Sequence, residues 1–323
     1  KFIFKNFDSS HQIVVFNKKV VHENIIILRK NLIGLITIIQ KMYNAEKIFI
    51  HSLSISVTVI LFFNPWLLKK SYWVIWGGDI YNHQSNKQKS KIKFTIKKLM
   101  KCFTIKRFKG LITYIDGTYD LAVKSYGAKG KYYKCIMYPS NTYKEFPITE
   151  QKRERNKINI LVGSSSLPRN NHIYLFEKIK QYVNEDYKAI CPLSYGDFNY
   201  RDEVIKQGKE LLGNHFEPIN DFMEYEEYIK LLSEVDIAIY GHEKNQAMGN
   251  IITLLGLGKK VYMKDDLTSW ETLEGLGIKL YAINKEPINS EFPHKIREQN
   301  IKIVREYFSN ETLILQWKEI FNS

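Results

Sequence analysis

The stretch KINILVGSSS, residues 157–166, decides the fold class. Ile158, Ile160, Leu161 and Val162 form a short apolar run that stops at Gly163. Three serines follow, and a helical pattern opens near His172. A strand-like run closed by a glycine loop and answered by a helix is the start of a βαβ unit. Downstream the rhythm repeats. Strand patterns cover 187–191, 215–219, 235–240, 260–263 and 278–281. Helical patterns cover 172–183, 200–212, 222–232, 246–257, 268–276 and 311–321. In the third helical pattern Phe222, Tyr225, Tyr228, Ile229 and Leu232 share one face.

Upstream lies a seam, PSNTYKEFPITEQKRERNK at 139–157, which is polar, holds two prolines and has little periodicity. It reads as a linker. Before it, β-branched and aromatic runs predict strands at 13–16, 24–28, 47–51, 57–63, 72–76, 111–115 and 132–138. Alternation of this kind predicts an α/β protein with parallel sheets. We assign 1–145 to a first domain, 146–157 to the linker and 158–323 to a second domain. The expected architecture is two Rossmann-like domains whose sheets face across a cleft, with ligands at the carboxyl ends of the strands. The last helix is free to fold back across the seam.

Charge narrows the partners. The chain of 323 residues carries a net charge of +14. Between Lys87 and Lys109 stand ten Lys or Arg residues and no acid. Ile92, Ile96, Leu99, Met100 and Phe103 fall there at helical spacing. A basic amphipathic helix over 87–109 is therefore expected to meet an anionic membrane surface. The longest apolar run, 55–68, is interrupted by Asn64 and Pro65 and is too short to span a bilayer. The opening KFIFKNFDSS lacks the apolar core of a secretory leader. A cytoplasmic protein, peripheral on the inner face of a bacterial membrane, is the expected setting. No nucleic-acid-binding motif accompanies the charge.

The segment YGHEKNQAMGNIITLL, 240–255, joins a buried strand to an apolar helix through a polar loop. A helix N-terminus with a nearby glycine binds phosphate through amide donors and the helix dipole. Gly249 lets the backbone approach closely, Asn245, Gln246 and Asn250 can donate, and Glu243 can accept from hydroxyls. Gly163, Ser164 and Ser165 form a second turn able to wrap a diphosphate, or a plain βα turn. Tyr195, in PLSYGD, can stack on a base or sugar. In the first half, Gly77 and Gly78 are expected to turn the chain sharply and expose Asp79, a carboxylate able to deprotonate an acceptor hydroxyl. Tyr81 follows it, and His51 and Ser52 close an earlier strand on the same edge.

Several chemistries are absent. No strand is followed by GxGxxG, and no GxxxxGK[ST] exists. Cys102, Cys135 and Cys191 lie far apart without zinc spacing. No Asp-x-Asp occurs, so no metal is expected on the diphosphate, and amides and a helix dipole would neutralise it instead.

The segments IFIHSL (48–53), WVIWGGDIY (73–81), ILVGSSSLPRNNH (160–172), PLSYGD (192–197) and NQAMGN (245–250) together resemble glycosyltransferase family 56, the TDP-N-acetylfucosamine:lipid II N-acetylfucosaminyltransferases. The resemblance covers nearly the whole chain. It implies a GT-B fold and no cofactor beyond a nucleoside diphosphate sugar as co-substrate. Gly163 to Ser166, Tyr195 and Glu243 to Asn250 would lie on the donor side. Asp79 would be the base on the acceptor side, near a polyprenyl-diphosphate-linked saccharide in O-antigen or common-antigen assembly. Two other readings remain open: a two-domain sugar-nucleotide epimerase, and a basic nucleic-acid-binding protein.

Overall fold

The computed structural model describes residues 2–8, 10–16, 25–81, 91–146, 157–182, 186–288 and 290–323. The chain divides into two compact units, Lys1–Pro139 with Gln316–Ser323, and Ser140–Leu315.

Unit 1 begins with helix α1 (Phe2–Asn6), strands β1 (Ile13–Phe16) and β2 (Ile25–Leu28), and helix α2 (Leu32–Asn44). β3 (Ile48–His51), α3 (Ile55–Phe63), β4 (Ser71–Val74), α4 (Gly77–Tyr81), α5 (Lys91–Ile105), β5 (Gly110–Thr113), α6 (Asp116–Tyr126) and β6 (Lys131–Lys134) follow. β1 and β2 pair parallel as a ribbon, and β3-β4-β5-β6 form a parallel sheet in sequence order. Tyr72, Trp73 and Val74 on β4 are wholly buried, as expected for a strand covered on both faces.

Residues 57–63, expected as a strand, are helical. Ser54 caps the helix by accepting from the Val57 amide at 3.4 Å, and Pro65 follows its end. β-branched content suggested a strand, but the helix buries only Thr58, Ile60 and Leu61 and leaves Ile55, Val59 and Phe63 exposed. Lys87 to Ser90, the start of the expected basic helix, lie outside the described residues, and α5 runs from Lys91.

Unit 2 contains β7 (Ile158–Val162), α7 (His172–Tyr182), β8 (Tyr187–Pro192), α8 (Phe198–Leu212), β9 (Phe216–Ile219), α9 (Tyr225–Glu234), β10 (Ile237–Tyr240), α10 (Met248–Gly256), β11 (Lys260–Met263), α11 (Thr268–Gly275), β12 (Tyr281–Ala282) and α12 (His294–Tyr307). The last helix, α13 (Asn310–Asn322), is shared, because the partition falls at Leu315. Its last turns stack in unit 1, with Trp317 and Phe321 at 5.6 and 5.2 Å from the Phe49 ring.

The sheet order is β12-β11-β10-β7-β8-β9, all parallel. The chain starts in the middle, winds out through β8 and β9, and returns to the other side of β7. The order therefore reverses between β7 and β10, and a ligand crevice opens at the carboxyl ends flanking such a reversal. The strand expected at 278–281 shrinks to Tyr281–Ala282. Residues 140–145, expected in the first domain, belong to unit 2, where Tyr143 donates its amide to the Phe308 carbonyl at 2.8 Å. Residues 147–156, most of the expected linker, lie outside the described residues.

Candidate active site

In unit 1 the carboxyl ends of β3 and β4 carry a connected cluster. Ser52 follows β3 with φ 67°, a left-handed conformation that costs a non-glycine residue free energy. Asp79 holds it there. One carboxylate oxygen accepts from the Ser52 hydroxyl at 2.8 Å. The other accepts from the Leu53 amide (3.0 Å), the Trp73 indole (3.2 Å) and the Trp76 amide (3.3 Å). Asp79 is only 6% exposed. The expected turn therefore does not expose Asp79. Its oxygens are taken by donors, and its charge locks two strand-end loops together.

The glycines before Asp79 also differ from expectation. Gly77 and Gly78 open α4 instead of making a sharp turn, and a Cβ on Gly78 would meet open space. Tyr81 ends α4, and its side chain is outside the described residues.

His51 and Trp76 are the exposed members of this cluster. The His51 Nδ1 lies 2.8 Å from the Tyr138 hydroxyl, which accepts from the Trp76 indole at 2.6 Å. Part of the ring meets solvent, yet the protein around it displaces enough water to hold its pKa at about 4. The same burial effect raises the Tyr138 phenol to about 12. Both groups are therefore neutral across the physiological range. Met137, at φ 72°, is fixed by the Trp317 indole, which donates to its carbonyl at 3.1 Å.

In unit 2 the reversal between β7 and β10 is organised by Asn170, which is fully buried. Its side-chain oxygen accepts from the Ser164 amide and hydroxyl, both at 3.2 Å, and lies 3.0 Å from His242 Nε2. Its amide nitrogen donates to Ser165 Oγ at 3.1 Å and the Leu167 carbonyl at 3.2 Å. Gly163 has φ 69°, and a Cβ there would meet His172 Nε2 at 2.6 Å. That nitrogen, like the Tyr240 hydroxyl, is buried without a hydrogen-bond partner. Burial holds His172 at about 4; burial, then the charges of His172, Arg169 and Lys264, hold His242 at about 3. Arg169 and Lys264 are thus close enough to His242 to disfavour its charged form.

The other expected donor-side residues divide in two. Tyr195 is 54% exposed, on a loop pinned by the Ser166 amide and hydroxyl to its carbonyl at 2.9 and 2.8 Å. Glu243 is exposed and Gln246 half-buried. Asn245 and Asn250 are turned to structural partners. Asn245 donates to Thr268 Oγ1 at 2.7 Å and accepts from the Ser269 amide at 3.1 Å, while Asn250 donates to the Tyr228 hydroxyl at 2.8 Å. Gly249 sits in the first turn of α10, but a Cβ on it would lie 2.3 Å from the Ser140 carbonyl. Its small size is required by packing. Sequence reading missed Lys264, which follows β11 on this edge, and the organising role of Asn170. Among the described residues no group of three or more His, Cys, Asp or Glu is placed to hold a metal ion.

Several solved structures share this fold. Anabaena HepE, solved in complex with UDP-glucose, superposes with a TM-score of 0.68 at 14% identity over 93% of this chain and 86% of that one. Sucrose-phosphate synthase from Thermosynechococcus elongatus gives a TM-score of 0.68 at 12% identity, with 96% and 88% covered. A glycosyltransferase from Rickettsia africae gives 0.65 at 16%, with 96% and 89% covered. These likenesses show the fold, which is GT-B. Residues 18–323 match the 4-alpha-L-fucosyltransferase family, glycosyl transferase group 56. The chain belongs to that family and is a glycosyltransferase.

Proposed function

We propose that this enzyme transfers a sugar from a TDP- or UDP-linked donor to a hydroxyl of a polyprenyl-diphosphate-linked saccharide during assembly of a bacterial surface polysaccharide. A 4-amino-4,6-dideoxyhexose such as N-acetylfucosamine is the donor sugar of this reading. The observation that carries the donor assignment is the chemistry of the reversal in unit 2. Backbone amides, Asn170, neutral histidines and the cations Arg169 and Lys264 meet there, and the α10 N-terminus presents amides that a helix cannot satisfy internally. That environment suits a diphosphate, and Anabaena HepE holds UDP-glucose in the same fold.

Unit 1 supplies the acceptor side. We assign the base to His51 and a positioning role to Asp79. With Nδ1–H donated to the Tyr138 oxygen, Nε2 keeps an outward lone pair. As the acceptor oxygen bonds to the anomeric carbon, its proton passes to Nε2. The bond from that carbon to the donor's phosphate oxygen breaks, and the nucleoside diphosphate leaves with the electron pair. The lysines of α5 would hold the enzyme against an anionic leaflet. Among the described residues no helix is long and apolar enough to cross a membrane.

The test is product analysis. Purified enzyme is incubated with TDP- and UDP-sugars, with and without a prenyl-diphosphate saccharide. Transfer only in the presence of the lipid-linked acceptor is expected. Conversion of the nucleotide sugar alone would identify an epimerase instead.

A further inference from the structure

Unit 1 carries an apolar groove of about 870 Å³ between α3, α5 and the end of α6. The ring contact of Phe62 with Phe103, 5.0 Å between centroids, joins α3 to α5. Its walls are side chains that a soluble protein would ordinarily cover. Phe63 is 68% exposed, Leu99 63% and Ile96 52%. Lys106 lines it, Lys97 and Lys98 flank it on α5, and no acid stands between Lys91 and Lys109.

One wall of the groove leads to the acceptor-side cluster. Tyr126, a lining residue, donates its hydroxyl to the Ile80 carbonyl on α4 at 3.1 Å. The Lys101 ammonium stands over the Tyr126 ring at 5.3 Å and donates to the Asp79 carbonyl. A half-buried cation therefore stands between an uncovered apolar channel and the helix that bears Asp79.

We propose that this groove binds the polyprenyl chain of the lipid-linked acceptor, with its diphosphate beside Lys101. The inference rests on the acceptor reading above and extends it to the tail. Charge complementarity selects the occupant, since a prenyl diphosphate joins a long hydrocarbon to a compact anion. An open groove walled by three helices offers one hydrocarbon chain a path along its apolar floor.

The experiment measures binding directly. Prenyl diphosphates of graded chain length compete with a fluorescent polyprenyl diphosphate for the full chain in detergent micelles. The wild type and an Ile96→Ser/Leu99→Ser double variant are compared. Both positions are exposed, so folding is undisturbed, which a thermal melt verifies. Retention on phosphatidylcholine vesicles with about one-third phosphatidylglycerol is followed in parallel. In the wild type, affinity should rise with chain length. In the double variant the long chain should bind at least about tenfold more weakly, while vesicle retention stays within about twofold. Affinity that ignores chain length, or a variant that binds the long chain as the wild type does, overturns the proposal. Parallel loss of vesicle and long-chain binding also overturns it and marks the groove as a bilayer contact. Wild-type transfer to a short-chain acceptor alongside either result leaves the acceptor reading standing. No transfer to any prenyl acceptor sinks that reading instead.

Discussion

The two strand-end loop clusters solve one structural problem with different hubs, a carboxylate and a neutral amide. In unit 1 a buried carboxylate, Asp79, gathers four donors from two loops. In unit 2 a buried neutral amide, Asn170, gathers the Ser164 donors and His242 and gives its own hydrogens to Ser165 and Leu167. A carboxylate is the stronger acceptor, whereas an amide organises its loop without adding charge. The edge organised by an amide, with Arg169 and Lys264 nearby, can receive an anion. On the reading proposed above, the edge organised by Asp79 is where the acceptor hydroxyl would sit.

The largest test of this contrast is His51→Gln. Turnover should fall roughly 10²–10⁴-fold, the usual contribution of a positioned base. Donor affinity, measured calorimetrically with UDP or TDP, should be unchanged. Unaltered turnover would remove His51 from the reaction.

Next is Asp79→Asn. An amide cannot accept from all four donors, and its NH₂ would face some of them. Stability of the protein should drop by about 2–4 kcal/mol in denaturant unfolding, and activity should fall with it. A variant as stable as the wild type but inactive would return the base role to Asp79.

Acid should separate the hubs further. His172 and His242 are held at about 4 and about 3, below the ordinary 6.5 that each regains on unfolding. The unfolded chain therefore binds more protons below pH 6.5, and stability is lost as pH falls from there toward 4. The loss is at most about 1.4 kcal/mol per pH unit for each histidine. Melts from pH 7 to 4.5 should show it, and His172→Phe should flatten the slope. The smallest effect is expected from Arg169→Gln, which should weaken nucleoside diphosphate binding roughly three- to tenfold, less so at high salt. Salt-independent weakening would argue against a charge contact.

Unit 2 was legible because each of its strands is a short apolar run ended by a glycine or polar loop, as in KINILVGSSS and VDIAIYGH. Residues 57–63 were not, since a β-branched apolar run suits a buried strand or a helix equally until its cap and packing are known. Helix α12 was not among the expected helices, although Ile296, Ile301, Ile303 and Val304 recur along it, Val304 being its buried aliphatic side chain. The site was harder. Asp79 and the loop glycines stood out by type, but their roles depend on distant partners. Asp79 reaches back to Ser52 and Leu53, and Asn170 meets His242 seventy-two residues later. Asn245 looked like a ligand donor because its cap to α11 lies across a strand, beyond local pattern.

The glycines of α10 carry a practical consequence. The Ser140 carbonyl occupies the space a Cβ on Gly249 would need, and the Tyr143 ring does the same at Gly256, 2.3 Å away in each case. The short strap ahead of β7 is thus a lid on an apolar helix of the donor unit. A fragment begun at residue 158, where the strand pattern restarts, would strip that helix and expose it to aggregation. A fragment that keeps this helix covered has to start no later than Ser140.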